Sequence, residues 1–88
     1  MKIDKKDFLR ARVHAHITPG EALKILRELQ GLTQLELAQK TGINQSNISA
    51  LESNARQMGR GSAVVLARAL KVHPAVILFP DFDIEEAA

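Results

Sequence analysis

Eighty-eight residues, 45% hydrophobic and 25% charged, make one small globular domain with no room for a second core. The chain has no cysteine, which excludes disulfides, thiolate zinc sites and thiol nucleophiles together. Its charge is divided. All twelve Lys and Arg precede Pro80, with six of the ten Asp and Glu, so the first 80 residues carry +6 and the last eight carry −4. A basic body of this kind suits a polyanion. With Phe8, Phe79 and Phe82 as its three aromatic residues, the chain lacks the stacking platforms of a single-strand binder. The longest apolar runs, residues 63–67 and 75–79, are far shorter than the roughly 20 residues needed to span a bilayer. The charged N-terminus has no apolar stretch behind it, so neither membrane nor secretion is expected and the location expected is cytoplasmic.

In chain order, residues 1–17 form an N-terminal arm in which Leu9, Ala11, Val13, Ala15 and Ile17 alternate with Arg10, Arg12, His14 and His16. The period of two is that of a strand with one buried face, whereas Arg and Ala favour a helix, and both readings stay open. Residues 18–80 are punctuated as five short helices. Thr18-Pro19-Gly20-Glu21 places an N-cap hydroxyl, a proline at the first helical position and a glutamate at the third, and Leu23, Ile25, Leu26 and Leu29 follow as an apolar stripe. Gly31 supplies a left-handed stop. Thr33-Gln34-Leu35-Glu36 is a second capping box, opening a helix from 34 to about 41, with Gly42 as its stop. Asn44 caps a third helix, 45 to about 53, in which Ile48 and Leu51 lie one turn apart. A polar connection leads to a fourth, about 60–70, with Val64, Leu66, Ala67 and Leu70 expected inward. His73-Pro74 starts a fifth that ends near 78, and residues 81–88 form an acidic tail.

The informative stretch is residues 32–52, LTQLELAQKTGINQSNISALE. Two short helices joined by a three- or four-residue turn containing Gly42 have the geometry of a helix-turn-helix. A small residue at Ala38 lets the second helix cross closely over the first. Ile43, Ile48 and Leu51 would pin that helix from inside, leaving Gln45, Ser46, Ser49 and Ala50 outward. Amide, hydroxyl and methyl groups of this size suit the base edges of a major groove.

These residues resemble the helix-turn-helix domain of the lambdoid phage repressors and Cro proteins, a large class of bacterial regulators of the XRE type. The resemblance runs from about Pro19 to Leu78 and is carried by Gln34, Ala38, Gly42, Ile48, Leu51 and Glu52. It implies an all-α, five-helix, lambda-repressor-like domain with 45–53 as the recognition helix of a transcriptional repressor. By the same resemblance Gln34 touches a phosphate and braces Gln45 against an adenine, Ser46 meets a neighbouring base, and Ala50 meets a thymine methyl. Asn44 and Asn47 fall where the family contacts the DNA backbone, and Arg56 and Arg60 lie in the connection that usually grips phosphate. Arg27 and Glu52 fall where related repressors bury an ion pair. The chain departs from the family after Glu52, where Ser53-Asn54-Ala55 replaces a frequent Asn-Gly, which puts the path of that loop in question.

Val76, Ile77, Leu78, Phe79 and Phe82 are more apolar surface than a short fifth helix would bury, so a homodimer interface is expected there. A twofold dimer would read a palindromic double-stranded operator. The opening at residues 16–21, HITPGE, also resembles that of Hig-type antitoxins. This offers an alternative function, neutralising a small basic RNA-cleaving toxin while repressing its own operon. Enzyme readings find no footing, and no cofactor is expected. His14-x-His16 lacks a further ligand, so no metal site is expected; no serine sits beside a base, and the glycines form no phosphate loop.

Overall fold

The computed structural model describes residues 17–80, within which the backbone forms five helices and no strand. The arm and the acidic tail lie outside the described residues, apart from Ile17. The helices are α1 (Pro19–Leu29), α2 (Gln34–Thr41), α3 (Gln45–Glu52), α4 (Arg60–Leu70) and α5 (Pro74–Leu78). This is the all-α architecture expected from the punctuation.

Each boundary has a local cause. Thr18 is extended, and its hydroxyl oxygen accepts the Glu21 N–H at 3.1 Å. The Glu21 carboxylate returns to the Thr18 hydroxyl, which donates to Oε1 at 3.2 Å. At the far end Gly31 takes φ +70°, and the Gly31 and Leu32 N–H groups reach back to the carbonyls of Glu28 and Arg27. This Schellman arrangement satisfies carbonyls that the helix leaves orphaned. Before α2 the capping box is complete: Thr33 Oγ1 accepts the Glu36 N–H, and the Thr33 N–H donates to Glu36 Oε1, both at 3.0 Å. Those bonds, the backbone one foremost, hold the Glu36 carboxyl below its usual pKa. Asn44 opens α3 by accepting the Asn47 N–H at 2.9 Å. The His73 ring does the same for α5, Nδ1 accepting the Ala75 N–H at 3.0 Å.

The core is built from Leu23 of α1, Leu37 of α2, Ile48 and Leu51 of α3, Met58 of the connection, Ala63, Leu66, Ala67 and Leu70 of α4, and Ile77 of α5. Burying each large aliphatic side chain contributes about 1.5–3 kcal/mol, which helices this short need because their intrinsic helicity is slight. α1 packs on α3 and α5, α2 on α3 and α4, and α4 on α5. The closest approach is at Gly20, where an added Cβ would collide with the Leu51 carbonyl oxygen and lie 2.9 Å from that of Glu52. The start of α1 therefore rests on the end of α3.

Three expectations need correction. Ile77, assigned from sequence to a dimer interface, is fully buried in the monomer core between α5 and its neighbours. On α4 the inward position belongs to Ala63, while Val64 is half-buried, because α4 approaches its neighbours on the Ala63, Leu66, Ala67 and Leu70 side. On α1, Ile25 and Leu29 are exposed (Leu29 at 77%), since the stripe is wider than the surface covering it.

Candidate nucleic-acid interface

The turn between α2 and α3 is residues 42–44, and its tightness comes from Gly42 at φ +77°. Thr41 prepares it: the hydroxyl donates to the Leu37 carbonyl at 2.8 Å and accepts the Ile43 N–H at 3.2 Å. Ala38 and Ile43 pack half-buried against the core, and Ile48 and Leu51 are buried beneath α3. With its inner side occupied in this way, α3 turns the opposite side to solvent.

On that outer side Gln45, Ser46 and Ser49 are exposed, and Asn47 and Ala50 are half-buried. Neither Gln45 nor Ser49 has a side-chain hydrogen bond to the described protein. Ser46 differs, for its hydroxyl proton is donated to Asn44 Oδ1 at 2.8 Å, leaving the oxygen free to accept. Asn47 Oδ1 accepts from Arg56 Nη1 at 2.8 Å, tying the 53–59 connection to α3. Arg56 is exposed, with further guanidinium N–H groups available, and Arg60 is exposed at the first position of α4.

Beneath this face lies a bidentate ion pair. Arg27 Nε donates to Glu52 Oε2 at 2.7 Å and Nη2 to Oε1 at 3.0 Å, with Arg27 9% and Glu52 7% exposed. Arg27 Nη1 also donates to the Leu32 carbonyl at 2.7 Å. The hydrogen bond to Glu52 raises the Arg27 pKa still higher despite burial, so the guanidinium remains charged. No buried side-chain polar atom among the described residues lacks a partner.

Gln34 also joins this pair, its Nε2 donating to Glu52 Oε1 at 3.1 Å. No hydrogen bond links Gln34 to Gln45 in the free protein, so the amide implied as a brace is anchored to the carboxylate instead. Sequence reasoning missed this link, the Asn47–Arg56 bond and the Asn54 Nδ2 donation to Thr18 Oγ1 at 3.0 Å. Their partners are 9 to 36 residues apart, and no local pattern joins them. Of the apolar C-terminal residues, Val76 and Phe79 are exposed and Leu78 is half-buried, while Phe82 lies outside the described residues. Among the described residues no group of His, Asp or Glu could hold a metal, and no helix is long and apolar enough to cross a membrane. His14 and His16 lie outside them.

The helix-turn-helix family HTH_3 matches residues 23–77. An uncharacterized HTH-type transcriptional regulator, y4dL, of Sinorhizobium fredii (strain NBRC 101917 / NGR234) is 40% identical over 65 residues. That alignment covers 74% of this chain and 31% of the relative, so the chain spans under a third of that protein's length. Among solved structures, the P22 c2 repressor protein in complex with synthetic operator 9T in the presence of Tl+ superposes with a TM-score of 0.68. It is 22% identical, and the match covers 73% of this chain and 97% of that one, a likeness of fold. Because the family match runs from the core of α1 through α5 and includes the whole turn, the chain belongs to the XRE-type helix-turn-helix family HTH_3.

Proposed function

We infer that the protein is a repressor that binds a palindromic double-stranded operator as a homodimer, with α3 in the major groove. The observation supporting this most directly is the division of α3. Its inner residues are locked in the core, and its outer Gln45 and Ser49 have no partner within the described protein. A free amide at Gln45 pairs with N6 and N7 of adenine, and the half-buried methyl of Ala50 adds contact with a thymine methyl. Ser46, its proton held by Asn44, accepts a hydrogen bond from a base donor. Arg56, Arg60, Asn44 and Asn47 serve the phosphates, as does the backbone N–H of Gln34 in the first turn of α2. For Gln34 to brace Gln45, its amide must share or leave Glu52 when DNA binds.

We assign the dimer contact to Val76, Leu78 and Phe79, of which Val76 and Phe79 are exposed at 45% and 63%, and, from the sequence, to Phe82. Half-sites then lie about 34 Å apart, one helical turn. An antitoxin role rests on residues 16–21, and within them Thr18, Pro19 and Glu21 are accounted for by capping of α1. DNA reading is therefore the better-supported function.

The test is selection of bound sites from random duplexes, then titration on the selected and a scrambled site across salt. Gln45→Ala should lower affinity for the selected site by about 1–3 kcal/mol and leave the scrambled site nearly unchanged. Arg56→Ala should weaken both alike and reduce the salt slope by about one. Equal losses on both sites for Gln45→Ala would remove α3 from the groove. Sedimentation at micromolar concentration should give a dimer, and monomer throughout would reject the pairing.

A further inference from the structure

A groove runs between the start of α1, the 53–59 connection and the end of α5. Pro19, Met58 and Leu78 give it an apolar side, and Asn54, Arg56 and Gln57 a polar one. Its volume is about 390 Å³, whereas an apolar cavity of about 150 Å³ is enough to hold benzene. The walls are fixed by the fold itself. Asn54 Nδ2 donates to the hydroxyl of Thr18, next to Pro19, and the Arg56 backbone N–H donates to the Ala50 carbonyl at 3.1 Å. Met58 and Ile77 anchor the connection and α5 in the core. Phe79 also lines the groove but is 63% exposed, so among the described residues most of its surface stays uncovered. One patch therefore carries both an uncovered aromatic side chain and a hollow large enough for one. An isologous dimer sets the same patch of two copies against each other, so each feature meets its complement twice.

We propose that, in the homodimer, Phe79 of each copy seats in the groove of the other. The inference rests on the homodimer proposed above and specifies what its exposed phenylalanine fills. A second copy is the occupant this patch fits, because it brings ring and hollow in equal number and side by side. The partner's Phe79 then packs against the connection that carries Arg56, whose Nη1 is bonded to Asn47 of α3. Assembly and the phosphate contact proposed above thus share one loop.

The test uses the full chain, with copies isotope-labelled at their Met and Leu methyl groups mixed with unlabelled copies. Above the dimerisation concentration, isotope-filtered spectra should show contacts between the Met58 and Leu78 methyls of labelled copies and the Phe79 ring of unlabelled ones. The backbone amides of Asn54 and Gln57 should shift as the wild type is diluted to monomer. Phe79→Ala should raise the dimer Kd at least about thirtyfold, as for an aromatic anchor in a pocket. Its melting temperature as a monomer should match that of the monomeric wild type, since the side chain it truncates is mostly exposed. A dimer without the methyl–ring contacts overturns the seating and leaves the homodimer standing, whereas a monomer at every concentration overturns both. Contacts from the Phe82 ring to Met58 that persist on dilution would give the groove to the chain's own tail and overturn the seating too.

Discussion

The two ends of α3 are built on opposite principles. At its start, Gln45 is exposed without a side-chain partner in the described protein, and Ser46 leans on the cap through one short bond. At its end, Leu51 is buried, Glu52 accepts from both Arg27 and Gln34, and Gly20 presses against the last carbonyls. One end holds the helix, and the other is left free for the base contacts proposed above. Substitutions at the start should therefore alter sequence preference with little effect on folding, and those at the end should do the reverse.

The largest effect expected is at the locked end. Arg27→Met or Glu52→Gln removes one partner of a buried charge pair and should cost about 3–5 kcal/mol, read from denaturant unfolding. Arg27→Met/Glu52→Leu, which leaves no orphaned charge, should recover much of that loss. Singles as stable as the wild type would show that the pair does not hold α1 to α3. Gly20→Ala comes next, with an expected loss of about 1–3 kcal/mol, because the new methyl meets backbone carbonyls that have little room to move.

At the free end, Gln45→Ala should change stability by less than about 0.5 kcal/mol while it removes site preference. A melting temperature that fell along with affinity would erase the contrast between the two ends. The smallest effect concerns Glu36, whose lowered pKa means the charged form is favoured in the folded state. Its contribution is present above the ordinary carboxylate value of 4.5 and is lost as pH falls through the lower folded value. The difference in melting temperature between wild type and Glu36→Ala should thus narrow on acidification from neutral pH to below pH 3. A difference that widened would reverse the sign assigned to the capping box.

How much of the molecule the residues reveal in advance follows from the range of the forces involved. Thr33 with Glu36, Gly31 and Gly42 at positive φ, Asn44 ahead of α3 and Pro74 at the start of α5 are all legible. Each is a bond across three residues or a preference of one backbone position, so neighbours in sequence suffice to determine it. The division of α3 into an inner and an outer side is legible for the same reason, from the spacing of Ile48 and Leu51.

Tertiary packing decided what local rules leave degenerate. The residues 76–79 are uniformly apolar, yet Ile77 is buried while Val76 and Phe79 remain outside, because one side of a five-residue helix faces α1 and α4. Ala63 rather than Val64 enters the core, and Leu29 ends an apolar stripe with nothing among the described residues to cover it. Gln34 satisfies its amide on Glu52, 18 residues away, a partner chosen when α2 folds against α3. Periodicity names the side of a helix that prefers burial, but the angle at which neighbours approach selects which of those residues lose water.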